Sequence, residues 1–150
     1  MKEDSRIEIR KIAIGQVIAL VPDKGIFRGM KSITLNELLK HDAAFPLESM
    51  NLYEELMMYC RRYNLSPRIV ANYSNKMTAA RMVQENGLVS CVSTFSGVDR
   101  DRYTGVLAIP IEPVMDRWLF LTYLKQTEKR KEITLFCQLV EACGNIGRGE

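Results

Sequence analysis

Residues 67–95 read PRIVANYSNKMTAARMVQENGLVSCVSTF, and the class of fold turns on how that stretch divides. PRIVANY (67–73) has the β-branched and aromatic composition of a strand. Ser74-Asn75 supplies a helix start, since a side-chain oxygen there accepts from an amide that the first turn leaves without a partner. The run to Gln84 sets Met and Val at helical spacing. Asn86-Gly87 ends it, because Gly and Asn enter the left-handed conformation at low steric cost. Leu88 to Phe95 is a second β-branched run. Strand, helix and strand within about 30 residues form the pattern of a right-handed βαβ crossover. The expected fold class is therefore α/β.

Upstream, IEIRKIAIGQVIALV (7–21) alternates and then becomes continuously apolar. This predicts a long strand whose second half is covered on both faces, with Gly15 as a bend or bulge. Pro22-Asp23-Lys24-Gly25 reads as a turn. Thr34-Leu35-Asn36-Glu37 is a capping box, opening a short helix that ends near Lys40 or His41 and buries Leu35, Leu38 and Leu39. Asp42 to Pro46 reads as a brief strand. Leu52, Leu56, Tyr59, Cys60 and Tyr63 make the stripe of an amphipathic helix, with Asn51 as its start and Asn64 as its stop.

Downstream of the polar loop Asp99-Arg100-Asp101-Arg102, GVLAIPI (105–111) reads as a strand whose Pro110 suits an edge or a bulge. DRWLFLTYLK (116–125) reads as another, with Trp118 as a packing anchor. A last helix spans roughly Glu132 to Ala142, with Ile133, Phe136, Cys137 and Val140 on one face. Gly144-Asn145-Ile146-Gly147 breaks it.

The length of 150 residues, 47% hydrophobic and 26% charged, predicts one ordinary globular domain. No apolar run nears the roughly 20 residues of a membrane span, and the N-terminus lacks a signal-peptide core, so a cytoplasmic protein without a membrane partner is expected. The 21 basic and 18 acidic residues are interspersed, for a net charge of +3. Nucleic-acid binding needs basic side chains gathered on one face, so it is not predicted from this charge. The one dense charged run, Glu128 to Glu132, reads as the solvated entry to the last helix. Cys60, Cys91, Cys137 and Cys143 lack paired spacing and His41 has none of them nearby, so no metal or cofactor is expected. The cysteines read as small buried hydrophobes. No nucleophile elbow, P-loop or G-x-G-x-x-G occurs, and His41-Asp42 suits a helix terminus better than a triad; no enzyme is expected.

IAIGQVIALVPDKGIFRGMKSITLNEL (12–38), AFPLESMNLYEELMMYCRRYNLSPRIV (44–70), MVQENGLVSCVSTF (82–95) and GVLAIPIEPVMDRWLFLTYLK (105–125) follow one another in an order that resembles the effector-binding domain of LysR-type transcriptional regulators over residues 10–143. The resemblance implies a type 2 periplasmic-binding-protein-like α/β fold. Residues 1–150 would form a single domain that is mostly its second lobe, a mixed sheet of about five strands flanked by helices. Crossover strands (Ile12 to Val21 and Trp118 to Lys125) and a returning helix would fall within 1–22 and 116–150. The DNA-binding domain and most of the first lobe would lie outside this sequence. Where the family usually has Gly-Leu-Gly and then Pro, this chain has Gly87-Leu88-Val89 and then Ser93-Thr94.

The function implied by the resemblance is sensing, without catalysis, of a small-molecule effector in a cleft between lobes, together with homo-oligomerisation. DNA would be contacted only through a DNA-binding domain not present in this chain. The alternative is a dimerisation module without ligand response. The second-lobe side of the cleft would comprise Phe45, Pro46, Leu47, Ser49 and Met50, the turn Ser74, Asn75 and Lys76, and Thr94 with Phe95. Such loops join strand ends to helix starts, where free N–H groups attract anions and where open α/β sheets bind ligands. Ser49 and Ser74 are ligand donors or helix caps. Pro46, Met50 and Phe95 form an apolar wall, or Phe45 and Phe95 belong to the core. Lys76 is an anion contact or a solvated charge, and Glu48 disfavours an acidic effector. The unpartnered returning helix and open strand edges predict a dimer, or a helix refolded onto its own lobe.

Overall fold

The computed structural model describes residues 5–94, 103–127 and 130–145. Its spine is one long strand, β1 (Ile7–Pro22). After it come β2 (Ile33–Thr34), α1 (Leu35–Leu38), β3 (Ala43–Pro46), α2 (Asn51–Arg62), β4 (Ile69–Tyr73), α3 (Lys76–Asn86), β5 (Val89–Thr94), β6 (Val106–Glu112), β7 (Asp116–Leu124) and α4 (Lys131–Asn145). Seven strands form one mixed sheet in the order β2-β6-β1-β5-β3-β4, and β7 also pairs with β1. β1 runs antiparallel to β5, β6 and β7, whereas β3 is parallel to β4 and β5.

The two halves of β1 do different work. Gln16 to Leu20 pair with β5 and Ile18 to Pro22 with β6, so this half is flanked on both edges. Period-2 alternation sends Val17, Ala19 and Val21 to one face, against Leu35, Leu38, Leu52, Leu56 and Cys60 of α1 and α2. Ile18 and Leu20 go to the other face, against Ala79, Ala80 and Val83 of α3. The first half, Ile7 to Gln16, pairs with β7 as a two-stranded ribbon leaving this sandwich, and α4 lies against it, Arg10 contacting Glu141 at 3.3 Å.

Local chemistry explains most element ends. The capping box of α1 is complete: Glu37 N–H donates to Thr34 Oγ1 (3.1 Å) and Thr34 N–H to Glu37 Oε2 (3.1 Å). Asn75 caps α3 by accepting from Thr78 N–H at 3.0 Å, and Gly87 ends that helix at φ +66°. Asn64 follows α2 at φ +52°, a conformation that Asn tolerates better than most residues. β4, α3 and β5 form the expected crossover, but β3 lies between the two strands and pairs with both.

Several expectations are corrected. The sheet has seven strands, not about five, because the two-residue β2 adds to β6 and the ribbon half of β1 recruits β7. The irregularity in β1 falls between Lys11 and Ala13, not at Gly15, which pairs in register with Arg117. Asn51 is the first helical residue of α2, and its N-cap is Met50, which makes no side-chain cap. α4 continues through Gly144 to Asn145. Phe136 and Trp118, expected to pack inward, are 53% and 43% exposed, and register puts Trp118 on the ribbon face opposite the one that Arg10 presents to α4. Tyr63 is likewise exposed, past the end of the α2 stripe. The loop Asp99 to Arg102 lies outside the described residues.

Candidate functional site

Three parallel strands end together. Register pairs Pro46 with Tyr73 and Ala44 with Ser90, so the carboxyl ends of β3, β4 and β5 share one edge of the sheet. Hydrogen bonds fix that edge: Leu47 N–H donates to Tyr73 O (2.9 Å), Asn72 Nδ2 to Pro46 O (3.1 Å) and Ser90 Oγ to Ala44 O (2.9 Å), while the Tyr73 hydroxyl donates to Cys91 O. Burial first, and then the nearby Cys91 thiol, push the Tyr73 phenol above its ordinary pKa, so it remains a neutral donor.

The expected site residues distribute unevenly along this edge. Leu47 and Ser49 are exposed on the loop into α2, and Met50 is half-buried beside them. Ser74 and Asn75 are exposed on the loop into α3 and Lys76 is half-buried, so the two loops are brought together where Leu47 bonds to Tyr73. Thr94 is buried at the end of β5, and Phe95 lies outside the described residues. Phe45 and Pro46 are instead withdrawn from solvent. Both are fully buried, Phe45 lying edge-on to Tyr53 with ring centroids 6.4 Å apart.

The two helix starts on this edge differ chemically. Asn75 already occupies a leading amide of α3, whereas Met50, the N-cap of α2, makes no side-chain cap, and Tyr53 N–H donates back to Met50 O at 2.9 Å. The amides of Asn51 and Leu52 therefore follow the loop Leu47–Met50 without an N-cap side chain to compete for a ligand oxygen. Ser49 and Ser74 add hydroxyls that donate and accept.

Two features here escaped the sequence reading. Gln16 is exposed and sits opposite both Thr94 of β5 and Asp116 of β7, where β1 passes from the ribbon into the sandwich. Its signal was a lone amide within an apolar strand. Arg117 Nη1 donates to Glu55 Oε2 at 2.8 Å, with only 15% of the Arg117 side chain exposed. It ties β7 to α2 across 62 residues of sequence. An arginine near the start of an apolar strand was the available cue. Among the described residues no group of His, Cys, Asp and Glu is arranged to hold a metal, and no helix is long and apolar enough to cross a membrane.

The family model of the LysR substrate binding domain matches residues 2–144. The chain belongs to that family. LysR-family effector domains also share its fold. HinK, a LysR family transcriptional regulator from Pseudomonas aeruginosa, superposes with a TM-score of 0.77 at 18% identity, over 95% of this chain and 50% of that one. The effector binding domain of QuiR in complex with shikimate gives 0.76 at 17%, over 97% and 68%. The CcmR regulatory domain from Synechocystis in complex with 2-PG gives 0.79 at 10%, over 96% and 70%. The LysR-type chain thus spans about half the length of the first regulator. No curated protein matches it significantly in sequence. The mixed sheet flanked by helices is the periplasmic-binding-protein-like fold of this family, whose members are transcriptional regulators.

Proposed function

We propose that this chain is the sensing lobe of a cytoplasmic LysR-type regulator, non-enzymatic, and that it binds a small-molecule effector at the carboxyl edge of β3, β4 and β5. The observation that carries the reading is the convergence of the 47–50 and 74–76 loops and Thr94 on one hydrogen-bonded edge, beside the uncapped start of α2. Leu47 and Met50 offer apolar contact, the α2 amides, Ser49 and Ser74 offer hydrogen bonds, and Gln16 adds an amide at the crossover. Phe45 and Pro46 support this wall from behind. The opposite wall would come from a first lobe. Binding would favour one arrangement of lobes and subunits, repositioning a DNA-binding domain carried elsewhere.

The test is an amide-resolved NMR titration with shikimate, benzoate and a panel of other small metabolites. Shifts at Gln16, 47–52, 74–76 and 94 are expected for at least one compound. Shifts confined to other surfaces would refute the site.

A dimerisation module remains the second reading, favoured by one observation. Ile7, Ile9, Ile14, Trp118, Phe120 and Leu124 on the ribbon are each 37–46% exposed. Contiguous apolar surface of this kind marks association sites. Sedimentation over a concentration series separates the two readings: a homo-oligomer unmoved by any metabolite in the panel supports the second.

A further inference from the structure

A second concavity lies away from the β3-β4-β5 edge, between α4 and the ribbon. It measures about 290 Å³ and is lined by Arg10, Tyr123, Ile133, Thr134, Cys137, Gln138 and Glu141. None of the residues assigned to the effector edge contributes to it. Its size lies at the small end of ligand pockets, which run from about 300 Å³ upward.

Its two walls carry opposite charges. Arg10 comes from β1, its guanidinium 5.6 Å from the centroid of the Tyr123 ring. Glu141 comes from α4. They meet at 3.3 Å, with 38% and 56% of their side chains exposed. A pair so open to solvent contributes little to stability, so separating it costs little. A ligand bearing only an anion would satisfy Arg10 and repel Glu141; one bearing only a cation would do the reverse. A ligand bearing both offers each of these side chains a charge-assisted partner. Between the charges, buried Cys137, half-buried Ile133 and the Tyr123 ring present an apolar floor. Thr134 is engaged with its own helix, its hydroxyl donating to Arg130 O at 3.2 Å, so it adds bulk more than recognition.

We propose that this cavity binds a small zwitterion, an α-amino acid with an apolar side chain. Its carboxylate pairs with Arg10, its ammonium with Glu141, and its side chain rests on Ile133, Cys137 and Tyr123. Because α4 and the ribbon form the two walls, occupancy fastens the helix to β1, the strand that continues into the effector edge.

Isothermal titration calorimetry of the whole chain with L-leucine, 4-methylpentanoate and isoamylamine tests this. L-Leucine is expected to bind one to one, and each single-charge analogue at least about tenfold more weakly, since each loses one charged pair. Arg10→Gln and Glu141→Gln should each weaken leucine at least about tenfold with the far-ultraviolet circular dichroism unchanged. Gln138→Trp, which fills the mouth from the exposed side of α4, should abolish binding without removing either charge. Leucine-induced amide shifts should fall in 131–141 and at Arg10 and Tyr123. Equal binding of either analogue, unaltered affinity in both charge variants, shifts confined to 47–50 and 74–76, or no binding of leucine would each overturn the proposal.

Discussion

Replacing Phe45 by alanine separates a core role from a cleft-wall role. Phe45 is 0% exposed at the middle of β3, and it packs edge-on to Tyr53 of α2 with rings at 85°. Withdrawing a fully buried aromatic side chain forfeits about 1.5–3 kcal/mol of transfer free energy. The aromatic pair adds about 0.5–1.5 kcal/mol, and the cavity left beneath α2 brings the total to the usual 3–5 kcal/mol of a Phe→Ala change. For a chain of this size, each kcal/mol lowers the melting temperature by about 2–4 °C, so a fall of roughly 6–20 °C is expected. Thermal unfolding followed by circular dichroism measures that fall, and urea unfolding the free-energy loss, with the midpoint moving and the slope unchanged if the unfolded state is unaltered. Leu47→Ala, two residues on and 42% exposed, is the internal control and should cost below about 1 kcal/mol. If the two variants lost similar stability, or Phe45→Ala lost under about 1 kcal/mol, the placement of Phe45 in the core would be wrong.

Asn75→Ala removes the cap on Thr78 N–H and should cost about 0.5–2 kcal/mol in the same unfolding assay. Gly87→Ala should cost about 1–2 kcal/mol through its left-handed backbone alone, because the added Cβ would come no closer than 3.6 Å to Lys24 Nζ. Stability should decline above about pH 9, and urea midpoints at stepped pH values should show it. Burial holds the Cys91 thiol at about 12 and the Tyr73 phenol above its ordinary value, whereas in the unfolded chain they ionise from their ordinary values of 9.0 and 10.0. As pH rises the unfolded state therefore binds fewer protons than the native state, so stability is lost at up to about 1.4 kcal/mol per pH unit per group. Cys91→Ala should flatten the first part of that fall. A double-mutant cycle on Arg117→Ala and Glu55→Ala should give a coupling of about 0.5–1 kcal/mol, modest because Glu55 is 40% exposed.

Local signals carried most of the element order. Thr34 and Glu37, Asn75, Asn64 and Gly87 marked ends that the structure keeps, because caps and left-handed stops are decided by a few neighbouring residues. The switch within IEIRKIAIGQVIALV from alternating to continuous apolar foretold the two environments of β1, since burial on one face or two is written in the period. What stayed illegible depends on distant partners. Ile33 and Thr34 form a strand only because β6 passes alongside, and no pattern of two residues announces that. Phe136 and Trp118 fit apolar stripes, yet a stripe records a preference for burial and not whether the chain supplies a cover. At the proposed effector edge the loops were named from the resemblance, whereas which side chains face outward follows from register: Phe45 turns inward while Leu47, two residues later and past the strand end, does not.

The arrangement bears on how occupancy at the effector edge could reach the rest of a regulator. Ser90, Tyr73, Asn72 and Leu47 bond β3, β4, β5 and the first loop to one another, so the proposed edge is cross-linked before any ligand arrives. A stiff wall transmits a ligand's pull as a rigid body, and compliance must lie where fewer contacts hold the chain. On the proposed reading that place is the passage at Gln16, where β1 exchanges its partners. There β1 exchanges β5 and β6 for β7 as its partner, and the Arg117–Glu55 pair links ribbon to sandwich. On the proposed reading, effector binding beside the start of α2 acts on the helix that carries Glu55, and through Arg117 on the strand that leads away. The angle between ribbon and sandwich then becomes the quantity that ligand adjusts. Cutting the link with Arg117→Ala should leave effector affinity within a few fold while reducing the ligand-induced shifts at Leu121 and Thr122. Full-sized shifts there in the variant would place the coupling elsewhere.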